Sequence, residues 1–93
     1  MRVSIIGASG YTGGEILRLL VNHPDVEIGQ AISRTFAGQP IRRVHPHLRK
    51  SNLPAFVEPE TLTNADLLVL AQPHGVAQRE IEQYSGLAPR IID

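Results

Sequence analysis

The stretch Gly7-Ala8-Ser9-Gly10-Tyr11-Thr12-Gly13-Gly14 separates two segments of contrasting pattern. Before it, Arg2-Val3-Ser4-Ile5-Ile6 is a short apolar run that stops at a glycine and predicts a buried strand. After it, residues 15–21 carry apolar side chains at 16, 17, 19 and 20, which suits a well-buried helix. Asn22-His23-Pro24 supplies the stop. Val26, Ile28, Gln30 and Ile32 then alternate with Glu27, Gly29, Ala31 and Ser33, as in a second strand. Strand, glycine loop, helix and strand within about 32 residues make one βαβ unit. The expected fold is α/β, a Rossmann-type parallel sheet forming the N-terminal part of a dinucleotide-binding domain.

The glycine positions have distinct expected roles. Gly7 would permit a tight turn out of the strand. Gly10 would let backbone N–H groups approach a pyrophosphate, and Gly13 would let the helix pack closely on the sheet. The helix N-terminus adds unpaired donors and the positive end of its dipole, and Ser9 and Thr12 add hydroxyls. The spacing G-x-x-G-x-x-G is one residue longer than the usual dinucleotide fingerprint. A glycine-rich turn without a ligand is the competing reading, and the strand–loop–helix context favours nucleotide binding.

An NAD site calls for an acid about 20 residues beyond the loop, to bond the ribose 2′-hydroxyl. That region here reads Ala31-Ile32-Ser33-Arg34-Thr35, without a carboxylate. Arg34, with Ser33 and Thr35, offers charge-assisted bonds to a 2′-phosphate instead, so NADP is the expected cofactor. From residue 28 to 57 there is no Asp or Glu, while Arg34, Arg42, Arg43, Arg49 and Lys50 are all cationic. Nucleic acid is the rival anion, but Phe36 is the only aromatic residue between 28 and 50, a poor base-stacking platform. His45 and His47 have same-face spacing for a metal in an extended segment but no nearby third ligand, so no metal is expected.

The remaining segments read less sharply. Residues 35–54 show no helical period and are interrupted by Pro40, Pro46 and Pro54. Ala55-Phe56-Val57 suggests a short strand, and Pro59 a helical turn through Leu62. Leu67-Leu68-Val69-Leu70 reads as a buried strand, followed by the turn Ala71-Gln72-Pro73-His74-Gly75. Val76, Ala77, Ile81 and Tyr84 mark a second helix, and Arg90-Ile91-Ile92-Asp93 the start of another strand. Open α/β sheets usually carry five or six strands, so residues 1–93 are expected to form an incomplete cofactor-binding segment of a longer enzyme.

Composition limits the chemistry. Nine Lys and Arg balance nine Asp and Glu, so no net charge draws in polyanions or a membrane surface. Zero cysteines exclude disulfides, thiolate metal sites and a thiol nucleophile within these residues. The longest uninterrupted apolar run, 67–71, is far too short to span a bilayer.

Several separated motifs together resemble a known family. The glycine stretch through Glu15, the His23-Pro24 stop, His45-Pro46-His47-Leu48-Arg49 and Pro73-His74-Gly75 look like N-acetyl-γ-glutamyl-phosphate reductase. They look closer still to its sister in lysine synthesis, LysW-aminoadipyl-phosphate reductase. The resemblance implies a cytoplasmic, homo-oligomeric oxidoreductase of arginine or lysine biosynthesis. Its reaction would be NADPH-dependent reduction of a small-molecule or carrier-linked acyl phosphate to an aldehyde, with an acidic carrier protein as a partner. It also implies that Gly10, Tyr11, Thr12 and Gly13 line the pyrophosphate, beside Gly7 and Ser9, which the loop reading already makes cofactor-binding candidates. Ser33, Arg34, Thr35 and Phe36 would then face the adenosine 2′-phosphate, with Pro73 and His74 near the nicotinamide. The family's cysteine nucleophile has no counterpart here, so no catalytic residue is expected in this chain. A non-catalytic NADP-binding module and a docking module for an acidic partner are the alternative readings.

Overall fold

The computed structural model describes residues 1–48, 53–71, 84 and 86–92. Its five strands are all parallel: β1 (Arg2–Ile6), β2 (Glu27–Ile32), β3 (Phe56–Val57), β4 (Leu67–Leu70) and β5 (Arg90–Ile92). They lie in the order β3-β2-β1-β4-β5. The chain therefore moves outward from β1 in one direction and then returns to β1's other side, leaving a switch point between β1 and β4.

Side chains of successive strand residues enter opposite faces. Ile5, Ala31 and Phe56 join one buried cluster with Ala8, Leu17, Ile41, Leu48 and Ala71. Ile6, Ile32, Leu68 and Leu70 join a second with Tyr84 and Ala88. Helix α1 (Tyr11–Val21) covers the first face through fully buried Leu17 and half-buried Ile16, Leu20 and Val21. Leu19, expected inside, is 62% exposed, since the rotation of about 100° per residue carries it to the solvent side.

β2 does not keep the strict period-two burial expected of it: both Ala31 and Ile32 are buried. Ala31 enters the first cluster and Ile32 the second, so both faces of the strand are covered at this end. Its register with β1 slips, pairing Val3 with Ile28 but Ile5 with Ala31. The buried Ser4 hydroxyl lies at that bulge and accepts the Gln30 N–H at 3.0 Å. This explains a polar side chain in an otherwise apolar strand.

Within the irregular 35–54 stretch, residues 35–48 carry more regular structure than the sequence suggests. Pro40 caps a single turn, α2 (Ile41–Val44), followed by a 3₁₀ turn, Pro46–Leu48. Elements this short cannot display a 3.6-residue period. Ile41 and Leu48 anchor them in the first cluster. A second 3₁₀ turn, Pro59–Thr61, follows β3. The expected helix over 76–84 lies outside the described residues apart from Tyr84. Among the described residues, no helix is long and apolar enough to cross a membrane.

Candidate functional site

The loop from Gly7 to Gly10 leaves the carboxyl end of β1 and is tied to the carboxyl end of β2. Gly7 has φ +79°, a conformation that glycine adopts without strain. The Ile32 carbonyl accepts both the Gly7 and Ala8 N–H groups, at 3.1 and 3.0 Å. The Ser33 hydroxyl donates to the Ser9 hydroxyl at 2.9 Å and accepts the Phe36 N–H at 3.1 Å. On the other side, the Ala71 N–H donates to the Ile6 carbonyl at 2.8 Å, placing the end of β4 beside the same loop.

The helix begins four residues earlier than the apolar pattern indicates, at Tyr11 rather than Glu15. Gly13 and Gly14 consequently lie in its first turn and are buried. A Cβ on Gly13 would come within 2.5 Å of the Gly7 carbonyl oxygen and 2.7 Å of Ala8 Cα, so only glycine permits this approach of helix to loop. Gly10 behaves differently. It caps the helix with φ −76°, and a Cβ there would meet only the Gly7 oxygen, at an ordinary 3.6 Å. The fold thus makes no demand for glycine at position 10.

Gly10 supplies no capping side chain, and no acid occupies the first turn of α1. The first-turn N–H groups of an α-helix have no intrahelical partner. Gly10, Tyr11 and Thr12 are exposed, Ser9 is half-buried and Gly13 is buried. The result is a donor-rich, positively polarised end at the carboxyl edge of the sheet, suited to a phosphate or pyrophosphate.

At the end of β2, Ser33 is buried, whereas Arg34, Thr35 and Phe36 are exposed. Phe36 leans on Phe56, with ring centroids 6.5 Å apart. Arg34 has a partner that sequence reading missed: its Nη2 donates to Glu60 Oε1 at 2.8 Å. Glu60 lies in the 3₁₀ turn after β3, and the β2–β3 pairing brings it to the end of β2. Its own backbone N–H, and then the Arg34 guanidinium, hold its carboxyl below the ordinary value. An acid therefore does stand near the end of β2, supplied by a neighbouring strand's loop rather than by β2 itself. Pro73 and His74 lie outside the described residues, as do Arg49 and Lys50.

His45 and His47 do not form an open same-face pair. Their ring centroids lie 5.8 Å apart in an edge-on arrangement. His47 is exposed, whereas His45 is buried and its Nε2 sits 2.7 Å from the Ala8 carbonyl oxygen. Among the described residues, no group of three or more His, Asp or Glu side chains could hold a metal ion.

Comparison with known proteins agrees with this architecture. Residues 2–93 match the family model for the semialdehyde dehydrogenase NAD-binding domain. A Thermomicrobium roseum protein named LysW-L-2-aminoadipate 6-phosphate reductase is 50% identical over 91 residues, covering 98% of this chain and 26% of that protein. A Methanobrevibacter smithii N-acetyl-γ-glutamyl-phosphate reductase is 40% identical over 98% of this chain and 27% of its own length. The chain thus spans about a quarter of these curated relatives. In structure it resembles a Candida albicans aspartate semialdehyde dehydrogenase solved with NADP, at a TM-score of 0.61 and 20% identity, over 92% of this chain and 26% of that one. That likeness shows a shared fold. With a parallel sheet, a glycine turn closed against β2 and a family match over nearly every residue, the chain belongs to the semialdehyde dehydrogenase NAD-binding domain family.

Proposed function

We propose that this domain holds NADP(H) for a reductase that converts an acyl phosphate to a semialdehyde in lysine or arginine biosynthesis. The observation that carries the cofactor reading is the uncapped start of α1, closed against the end of β2 where Arg34 stands. Gly7, Ser9, Gly10, Tyr11, Thr12 and Gly13 would receive the pyrophosphate. Ser33, Arg34, Thr35 and Phe36 would receive the adenosine end, with Pro73 and His74 toward the nicotinamide. The choice of reaction rests on the names of relatives 40–50% identical.

NADPH, when bound, supplies the hydride. The residues here bind and orient the cofactor. With no cysteine among the 93 residues, the thiol nucleophile implied by the family resemblance would come from elsewhere in the intact protein. A carrier-linked substrate accords with the LysW in the relatives' names, and exposed Arg42 and Arg43 offer an acidic carrier a cationic edge.

Titration of the intact protein and its Arg34→Ala variant with NADPH and NADH tests the cofactor reading. Losing one charge-assisted contact should weaken NADPH by roughly tenfold, near the lower end for hydrogen bonds to charged groups, because Arg34 must first leave Glu60. NADH should be nearly unaffected. Equal losses for the two cofactors would remove Arg34 from the 2′-phosphate.

A further inference from the structure

We infer that His45 is a positioning residue for the phosphate loop, acting through the Ala8 carbonyl. The Nε2–oxygen distance is 2.7 Å, and a carbonyl can only accept, so Nε2 carries the proton. Ala8 is thereby held on both sides of its Cα, the Gly7–Ala8 peptide through its N–H to the Ile32 carbonyl at the end of β2 and the Ala8–Ser9 peptide through its C=O to His45. Two residues later the chain becomes the cap of α1. Any tilt of the Ala8–Ser9 peptide would redirect the donors proposed to meet the pyrophosphate.

The imidazole is itself closely confined. A Cβ on Gly14 would lie 2.5 Å from its Cε1 and 2.6 Å from its Nδ1, so the ring rests directly on the first turn of α1. Phe56 approaches it edge-on, with centroids 6.1 Å apart. The His45 N–H donates to the Ile41 carbonyl, and the His45 carbonyl accepts the Leu48 N–H, each at 2.9 Å. Buried Ile41 and Leu48 fix those neighbours in the core. The adjacent glycines of α1 thus serve two contacts: Gly13 admits the loop backbone, and Gly14 admits the ring that holds the loop.

The inference rests on the loop holding the cofactor's pyrophosphate. Its test compares three variants of the intact protein: His45→Gln, His45→Asn and His45→Leu. NADPH and NADH dissociation constants are measured together with the thermal midpoint of each variant. The glutamine amide nitrogen reaches the position of Nε2 and should restore affinity to within about twofold of wild type. The shorter asparagine cannot reach, and leucine fills the space without a donor. Both should bind about three- to tenfold more weakly, the range for one lost hydrogen bond. The factor should be the same for NADPH and NADH, since both carry the pyrophosphate. This shared factor separates His45 from Arg34, and the glutamine rescue separates positioning from a packing role that would change only the midpoint. Wild-type affinity in a folded leucine or asparagine variant, or a loss confined to NADPH, would overturn the inference. If leucine prevents folding, the glutamine–asparagine comparison still decides it. Binding of neither cofactor by the wild type would instead overturn the cofactor reading beneath it.

Discussion

The two ends of the proposed cofactor crevice are built from different materials. At the glycine end, backbone meets backbone: Gly7 turns, Gly13 lies against Ala8, and the Ile32 carbonyl receives two N–H groups. At the β2 end, past the buried Ser33, the contact is between exposed side chains, with Arg34 and Glu60 forming a pair that is 71% and 59% exposed. The first end is inseparable from folding. The second can be altered without disturbing the core, so cofactor choice can change while the capacity to bind a dinucleotide remains.

Gly13→Ala should have the largest effect, because its Cβ meets backbone atoms that cannot turn aside. Overpacking of this kind costs about 1–3 kcal/mol, against a gain of about 1 kcal/mol in helix propensity. A fall in thermal midpoint is expected, and an unchanged or raised midpoint would mean that the loop and helix can separate. Gly10→Val should divide folding from binding. Its φ and surrounding space accept a side chain, so stability should change by no more than about 1 kcal/mol, the scale of an N-cap change. Affinity for NADPH and NADH should nonetheless fall together, by tenfold or more, as side-chain atoms enter the space proposed for the ligand. Retained affinity would reduce the loop to a turn.

The smallest effect belongs to Glu60→Gln. Exposed ion pairs are weak, so freeing Arg34 from its carboxylate should tighten NADPH by only about two- to fivefold and leave NADH unchanged. In an Arg34→Ala background, the same substitution should do nothing. A gain for NADH would contradict competition between Glu60 and the 2′-phosphate.

What the sequence made legible follows from how local each cause is. Arg2–Ile6 and Leu67–Leu70 appear with the bounds expected of them, because unbroken apolar runs bounded by turn residues suffice to define buried strands. The start of α1 was hidden because Gly13 and Gly14 are poor helix formers, and only the neighbouring loop explains their presence. α2 was hidden because a single turn has no period. The Arg34–Glu60 and His45–Ala8 contacts span 26 and 37 residues. They exist only because of strand order and the fold of the 41–48 segment, neither of which leaves a local mark. The glycine spacing carries the expectation of a phosphate site, but it could not show that His45, read as half of an unsupported metal pair, would be turned toward that loop.

The double hydrogen bond at the Ile32 carbonyl has a thermodynamic consequence. Fixing one residue's backbone costs about 1–2 kcal/mol of conformational entropy, and a mobile loop would incur that cost each time the proposed cofactor arrived. Here the Gly7 and Ala8 N–H groups are already joined to Ile32, and the Ala8 carbonyl to His45. Much of that freedom is lost when the chain folds, so less of the ligand's interaction energy is diverted to ordering the loop.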